Sequence, residues 1–253
     1  MYIKLLISTI VFLAFTLNLN AEITTLADAI NKAGKQRMLS QKMMRSYSMI
    51  GMDMKFKNPQ KTLTDSITLF SDTLDELIAF NTKKPILDVL NQVKEIWTPL
   101  KAELIKAPSK DNAEAIASDI DKLLAISHSA TVAITETCKA TTSKIINISG
   151  RQRMLSQRLA NLYMLKVWDV NIDDKKLHSA ITEFGEAHAK LLAFEKNSDE
   201  IKEKLASVKG DFLFFEILGA SKSKKYIPSL ISRASDKITK KMNDITTLYT
   251  TIK

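Results

Sequence analysis

The chain has 253 residues, 45% apolar and 26% charged, enough to bury a real core in one large domain or two of ordinary size. Its 37 Lys and Arg exceed its 28 Asp and Glu, but they are sprinkled among acids, which argues against a nucleic-acid groove and for a mildly positive field that favours small anions. A single cysteine, Cys138, excludes an intrachain disulfide and a cysteine metal set.

In chain order, residues 1–4 form a short basic start, 5–17 are almost wholly apolar, and Leu19-Asn20-Ala21 resembles a small-residue cleavage site. This is the pattern of a secretory signal peptide over 1–21. The run falls short of the ~20 residues that span a bilayer, so a cleaved leader and a periplasmic mature chain from Glu22 are expected, with an uncleaved N-terminal anchor as the alternative. No later segment is apolar enough to cross a membrane.

Breaks then fall at Asn58-Pro59, 81–85, 108–112, 171–174, Asn197-Ser198 and 221–228. Between them apolar residues recur every three or four, as in Leu63, Ile67, Phe70, Leu74 and Leu77, and again in Leu177, Ile181, Phe184, Leu191 and Phe194. About eight helices and no strands are predicted. Those two segments correspond at an offset of 114, and INKAGKQRMLSQ at 30–41 returns as INISGRQRMLSQ at 146–157, an offset of 116. The repeat is therefore a whole four-helix module of about 115 residues. The predicted fold is all-α, two tandem four-helix bundles over 22–137 and 138–253. No Pro or Gly interrupts 111–149, so a long continuous helix is expected to join the bundles end to end. A turn in the Thr-rich run 135–143, a poorer helix former, would instead fold them side by side.

On a helical wheel Leu26, Ile30, Ala33, Gln41, Met44 and Ser48 lie within about 40° of Arg37. Arg37 thus sits in an apolar or small-residue seam. Leu39, Met43 and Ile50 form a second seam, and Asn31, Lys35 and Lys42 occupy the expected wet side. Arg153 repeats the arrangement. One seam suits the helix's own bundle and the other a further helix.

A guanidinium in such a seam stays protonated and needs acceptors or a counter-anion. Its donor fork suits a planar oxyanion. Ser40 or Ser156, Gln41 or Gln157, and Asn31 or Asn147 are candidates to complete the shell. A buried arginine paired with an acid of a neighbouring helix is the plainer alternative.

The stretches 29–38 and 146–158 resemble the first-helix motif of the PilJ/NarX-type sensory domain, a family of periplasmic four-helix bundles in bacterial nitrate/nitrite sensor kinases and chemoreceptors. The resemblance implies that Arg37 and Arg153, with Gly34 and Gly150 in the same motif, bind a small anion such as nitrate or nitrite where two first helices face each other. The facing pair arises either within one chain or across a homodimer. Family receptors continue into a kinase or methyl-accepting domain, whereas this sequence ends at Lys253, so delivery of the bound state to a membrane-bound sensor kinase or chemoreceptor is expected.

Enzyme chemistry is not expected, since no nucleophile motif or phosphate loop appears. His128, His178 and His188 show no convergent spacing and read as ordinary helix residues. The methionines from Met38 to Met54 read as adaptable packing rather than a copper site, so no metal and no cofactor is expected. The two function classes left are a periplasmic small-anion sensor and a ligand-free structural or interaction bundle.

Overall fold

A computed structural model describes residues 22–137, 140–220 and 227–252. The expected leader over 1–21, Cys138 and the lysines Lys222, Lys224 and Lys225 lie outside the described residues. Among these there are eight α-helices and no strand: α1 (Leu26–Gly51), α2 (Pro59–Phe80), α3 (Lys84–Leu104), α4 (Lys110–Glu136), α5 (Thr141–Val167), α6 (Lys175–Leu192), α7 (Asp199–Ala220) and α8 (Pro228–Thr250). No described helix is long and apolar enough to cross a membrane.

The breaks work as helix starts for local reasons. The side chains of Thr25, Asn58 and Ser109 accept from backbone N–H groups in the first turns of α1, α2 and α4. Proline opens α2, α3 and α8, where its missing N–H is harmless. Two tyrosines then pin loops to the repeated helices: Tyr47 Oη accepts from Ser109 N at 3.2 Å and Tyr163 Oη from Ile227 N at 2.7 Å.

The long continuous helix is corrected by the structure. Helix α4 stops at Glu136 and α5 begins at Thr141. In the last turns of α4 the hydroxyls of Thr135 and Thr137 donate to the carbonyls of Thr131 and Ile134, both at 2.7 Å. Such local bonds compete with helix continuation in a run of weak helix formers. The break lets α5 lie beside α1 instead of extending α4.

The two helices run parallel and in register. Gly34 faces Gly150, Gln41 meets Arg158 and Asn161, and Gly51 lies against Trp168. Helix α1 packs on α2 and α4, α5 packs on α6 and α8, while α3 and α7 lie outside on α4 and α8. Helix α1 buries 17 of its 26 residues and α5 18 of its 27, so neither keeps a wet face of ordinary width. Lys35, Lys42 and Asn31, expected on the wet side, are only partly exposed, because that side of α1 turns toward the second copy. Burial is the leading cause that lowers the pKa of both lysines. One hydrophobic core runs through both copies, from Phe70 and Leu77 through Met43 and Leu159 to Phe184 and Ile245.

Candidate functional site

The rotation of the central helices is fixed from outside the seam. Gln36 Nε2 donates to the Phe70 carbonyl at 2.9 Å, and Gln152 Nε2 to the Phe184 carbonyl at 3.0 Å. With those faces turned to α2 and α6, the next residues, Arg37 and Arg153, turn inward. They are 0% and 1% exposed.

The two guanidiniums are bonded in a nearly twofold pattern. Arg37 Nη1 donates to His128 Nδ1 of α4 at 3.1 Å, and its Nη2 crosses the seam to Asn147 O and Oδ1 at 3.2 and 2.8 Å. Arg153 Nη1 donates to Asn243 Oδ1 of α8 at 3.0 Å, and its Nη2 crosses to Asn31 O at 3.1 Å. Of the two arrangements expected, the facing pair thus forms within one chain. Its partners are neutral: among the described residues neither guanidinium is ion-paired with a carboxylate. Each buried Nε, and Asn31 Oδ1, lacks a hydrogen-bond partner.

Glycine permits this approach. A Cβ on Gly34 or on Gly150 would meet Arg153 Nη2 at 3.1 Å, Arg37 Nη2 at 3.4 Å and the opposite glycine Cα at 3.6 Å. Both Nη2 atoms therefore hang over the glycine contact. Burial, followed by the charges of Arg151 and Arg153, presses the Arg37 pKa down to about 9, and burial brings that of Arg153 to about 10. Both remain cations at neutral pH, close together and out of water.

The other expected shell residues do not converge on the guanidiniums. Ser40 Oγ donates to its own Arg37 carbonyl at 2.8 Å, and Ser156 Oγ to that of Arg153 at 2.9 Å. Gln41 Oε1 accepts from Asn161 Nδ2 at 3.1 Å, and Gln157 Nε2 donates to Thr239 Oγ1 at 2.8 Å. They lie one turn along the seam, and of the four only Gln41 bonds across to the other copy, through Arg158 and Asn161. Two ion pairs flank them, Arg158 with Asp121 at 2.7 Å and Arg45 with Asp236 at 2.9 Å, each crossing from one copy to the other.

Sequence reasoning missed His128, which is not an ordinary surface residue. Its Nδ1 faces Arg37 and its Nε2 lies 3.4 Å from Arg151 Nη1. Burial, then those two charges, lowers its pKa to about 4. Arg151 is paired with Glu183. The signal was available: His128 and Asn243 occupy the same place in α4 and α8, 115 residues apart. Met38, Met43, Met44 and Met49 are buried packing residues. Among the described residues no group of three or more His, Cys, Asp or Glu is placed to hold a metal ion.

A family profile described as the type IV pili methyl-accepting chemotaxis transducer N-terminal domain, PilJ, matches residues 19–123 and again 139–212. No curated protein and no solved structure matches the chain. The two matches cover more than half of the sequence and repeat the central arginine helix, and the chain belongs to the PilJ family of chemotaxis-transducer sensory domains, carrying two tandem copies.

Proposed function

We propose that the chain is a periplasmic sensory module that recognises a small anion, nitrate or nitrite by preference, between Arg37 and Arg153, and passes its bound state to a membrane-bound sensor kinase or chemoreceptor. The observation that carries this reading is the pair of fully buried guanidiniums facing each other with only neutral partners. Two like charges out of water are costly unless something compensates them. A planar oxyanion between them accepts from two forks at once, using donors that now reach neutral oxygens, the His128 ring nitrogen or, at each Nε, nothing. The anion then draws α1 and α5 together, and it shifts their arrangement only by its differential affinity for the closed and relaxed seams.

A second reading, a ligand-free structural bundle, is favoured by the neutral bonds that each Nη already makes. Calorimetry of the folded protein against nitrate, nitrite and other small anions separates the two. Saturable binding that is abolished by either Arg37→Ala or Arg153→Ala fits one shared site. No binding, together with loss of the fold in both variants, leaves the structural bundle.

A further inference from the structure

The two flanks of the α1–α5 seam are chemically different. On one flank α4, α5 and α6 border a cleft of about 360 Å³, with Arg37 at its floor and His128, Arg151, Arg158, Leu124 and Met154 around it. The internal repeat relates α4 to α8 at an offset of 115 and α5 to α1 at 116, so the opposite flank carries Asn243 for His128, Lys240 for Ala125 and Lys35 for Arg151.

The charge around the cleft does not balance. Asp121 is paired with Arg158 and Lys176, and Glu183 with Arg151. Four cations, Arg37, Arg151, Arg158 and Lys176, thus meet two carboxylates, and Arg37 is the one with no carboxylate partner. The bonding of His128 shows where that surplus is felt. A guanidinium only donates, so the 3.1 Å contact makes His128 Nδ1 the acceptor and puts the ring proton on Nε2. That Nε2–H then faces Arg151 Nη1, a second donor, at 3.4 Å. Two donors converge with no acceptor between them. One oxygen of an anion entering the cleft satisfies both, while Leu124, Ala125 and Met154 offer an apolar wall beside it.

We propose that this cleft is a second anion site, selective for a small monocarboxylate with a short apolar body, whose carboxylate is received by His128 Nε2–H and Arg151. The site stands apart from the nitrate reading, since the converging donors lie on the flank of the seam and not between Arg37 and Arg153. Its apolar wall separates it from a site for inorganic anions, because each methylene packed there adds affinity, roughly fourfold for a fully buried group.

The test is titration calorimetry of the full protein with acetate, propionate, butyrate and nitrate in a chloride buffer of constant ionic strength. Propionate and butyrate are expected to saturate and to bind more tightly than acetate. Ala125 is exposed and lines the cleft, so Ala125→Glu places a competing carboxylate there without touching the core. It is expected to weaken propionate at least tenfold, with helicity and nitrate response unchanged and the thermal midpoint not lowered. His128→Asn, which installs the residue of the other copy, is expected to weaken propionate as well. The proposal is overturned if no carboxylate binds the folded protein, if Ala125→Glu binds propionate as tightly as the parent, or if nitrate displaces propionate one for one.

Discussion

Arg37→Met removes a buried charge while keeping a side chain that fills much of the same space. Burial and the neighbouring cations lower the Arg37 pKa from 12.5 to about 9, which at ~1.4 kcal/mol per unit corresponds to a cost of about 5 kcal/mol for keeping the ion there at neutral pH. Against this stand the bonds to His128 Nδ1, Asn147 O and Asn147 Oδ1, whose loss, with the acceptors left partly unpaired, costs about 2–4 kcal/mol together. The balance favours the variant by about 1–3 kcal/mol, because the partners left behind are neutral and no buried counter-charge is stranded. For a chain of this size that raises the thermal midpoint by about 2–12 °C. The parent protein should gain about 2.7 kcal/mol from nitrate at a hundredfold excess over its Kd, and the variant nothing. Thermal unfolding followed by circular dichroism, with and without nitrate, reads both effects. A variant that melts several degrees lower than the parent in the absence of anion would show that the neutral bonds outweigh desolvation. Arg37 would then be a structural clamp, and the charge-compensation argument for the seam would fail.

Gly34→Ala or Gly150→Ala places a Cβ 3.1 Å from Arg153 Nη2 and 3.6 Å from the opposite glycine; prying the seam apart should cost about 1–3 kcal/mol in urea melts and blunt any anion response. Gly51→Ala sets a Cβ 2.1 Å from Trp168 Cζ2, so the indole must leave its place beside Tyr47, which a shift in tryptophan fluorescence reports. The folded-state pKa of His128 is depressed to about 4 from 6.5. Between those values the unfolded chain binds the extra proton, so stability is full above about 6.5 and declines as pH falls toward 4. His128→Asn should flatten that slope in urea melts across this range. At Asp236 burial opposes ionisation, but Arg45 and Lys57 prevail and hold the pKa below 3.8. Its stabilisation is therefore present above 3.8 and lost as pH falls below it, and Asp236→Asn should cost about 1–3 kcal/mol at pH 7 and make acid unfolding less steep.

Much of this architecture is local and so was legible in the sequence. Asn58-Pro59 and Ser109 start helices through bonds within one turn, and the three-to-four spacing of Leu63, Ile67, Phe70, Leu74 and Leu77 describes one face of α2, all of it buried. The repeat carried the eight-helix count, and the wheel placed Arg37 and Arg153 in a seam. A wheel gives directions about a single axis, however, and does not say which helix lies in each direction. Asn31, Lys35 and Lys42 therefore read as a wet side although the second copy half covers them.

By itself, then, the sequence determined the helices, their duplication and the two arginines in need of a partner, because hydrogen bonds and side-chain periodicity within one segment encode them. Only the tertiary structure decided that α4 ends at Glu136, that α5 returns beside α1 with Gly34 on Gly150, and that His128 stands between Arg37 and Arg151. Those facts depend on contacts between residues far apart in the chain, such as Arg37 with Asn147 and Arg45 with Asp236. Burying the small-residue face of α1 against that of α5 is available only when the two copies lie side by side, and no single segment contains that interaction.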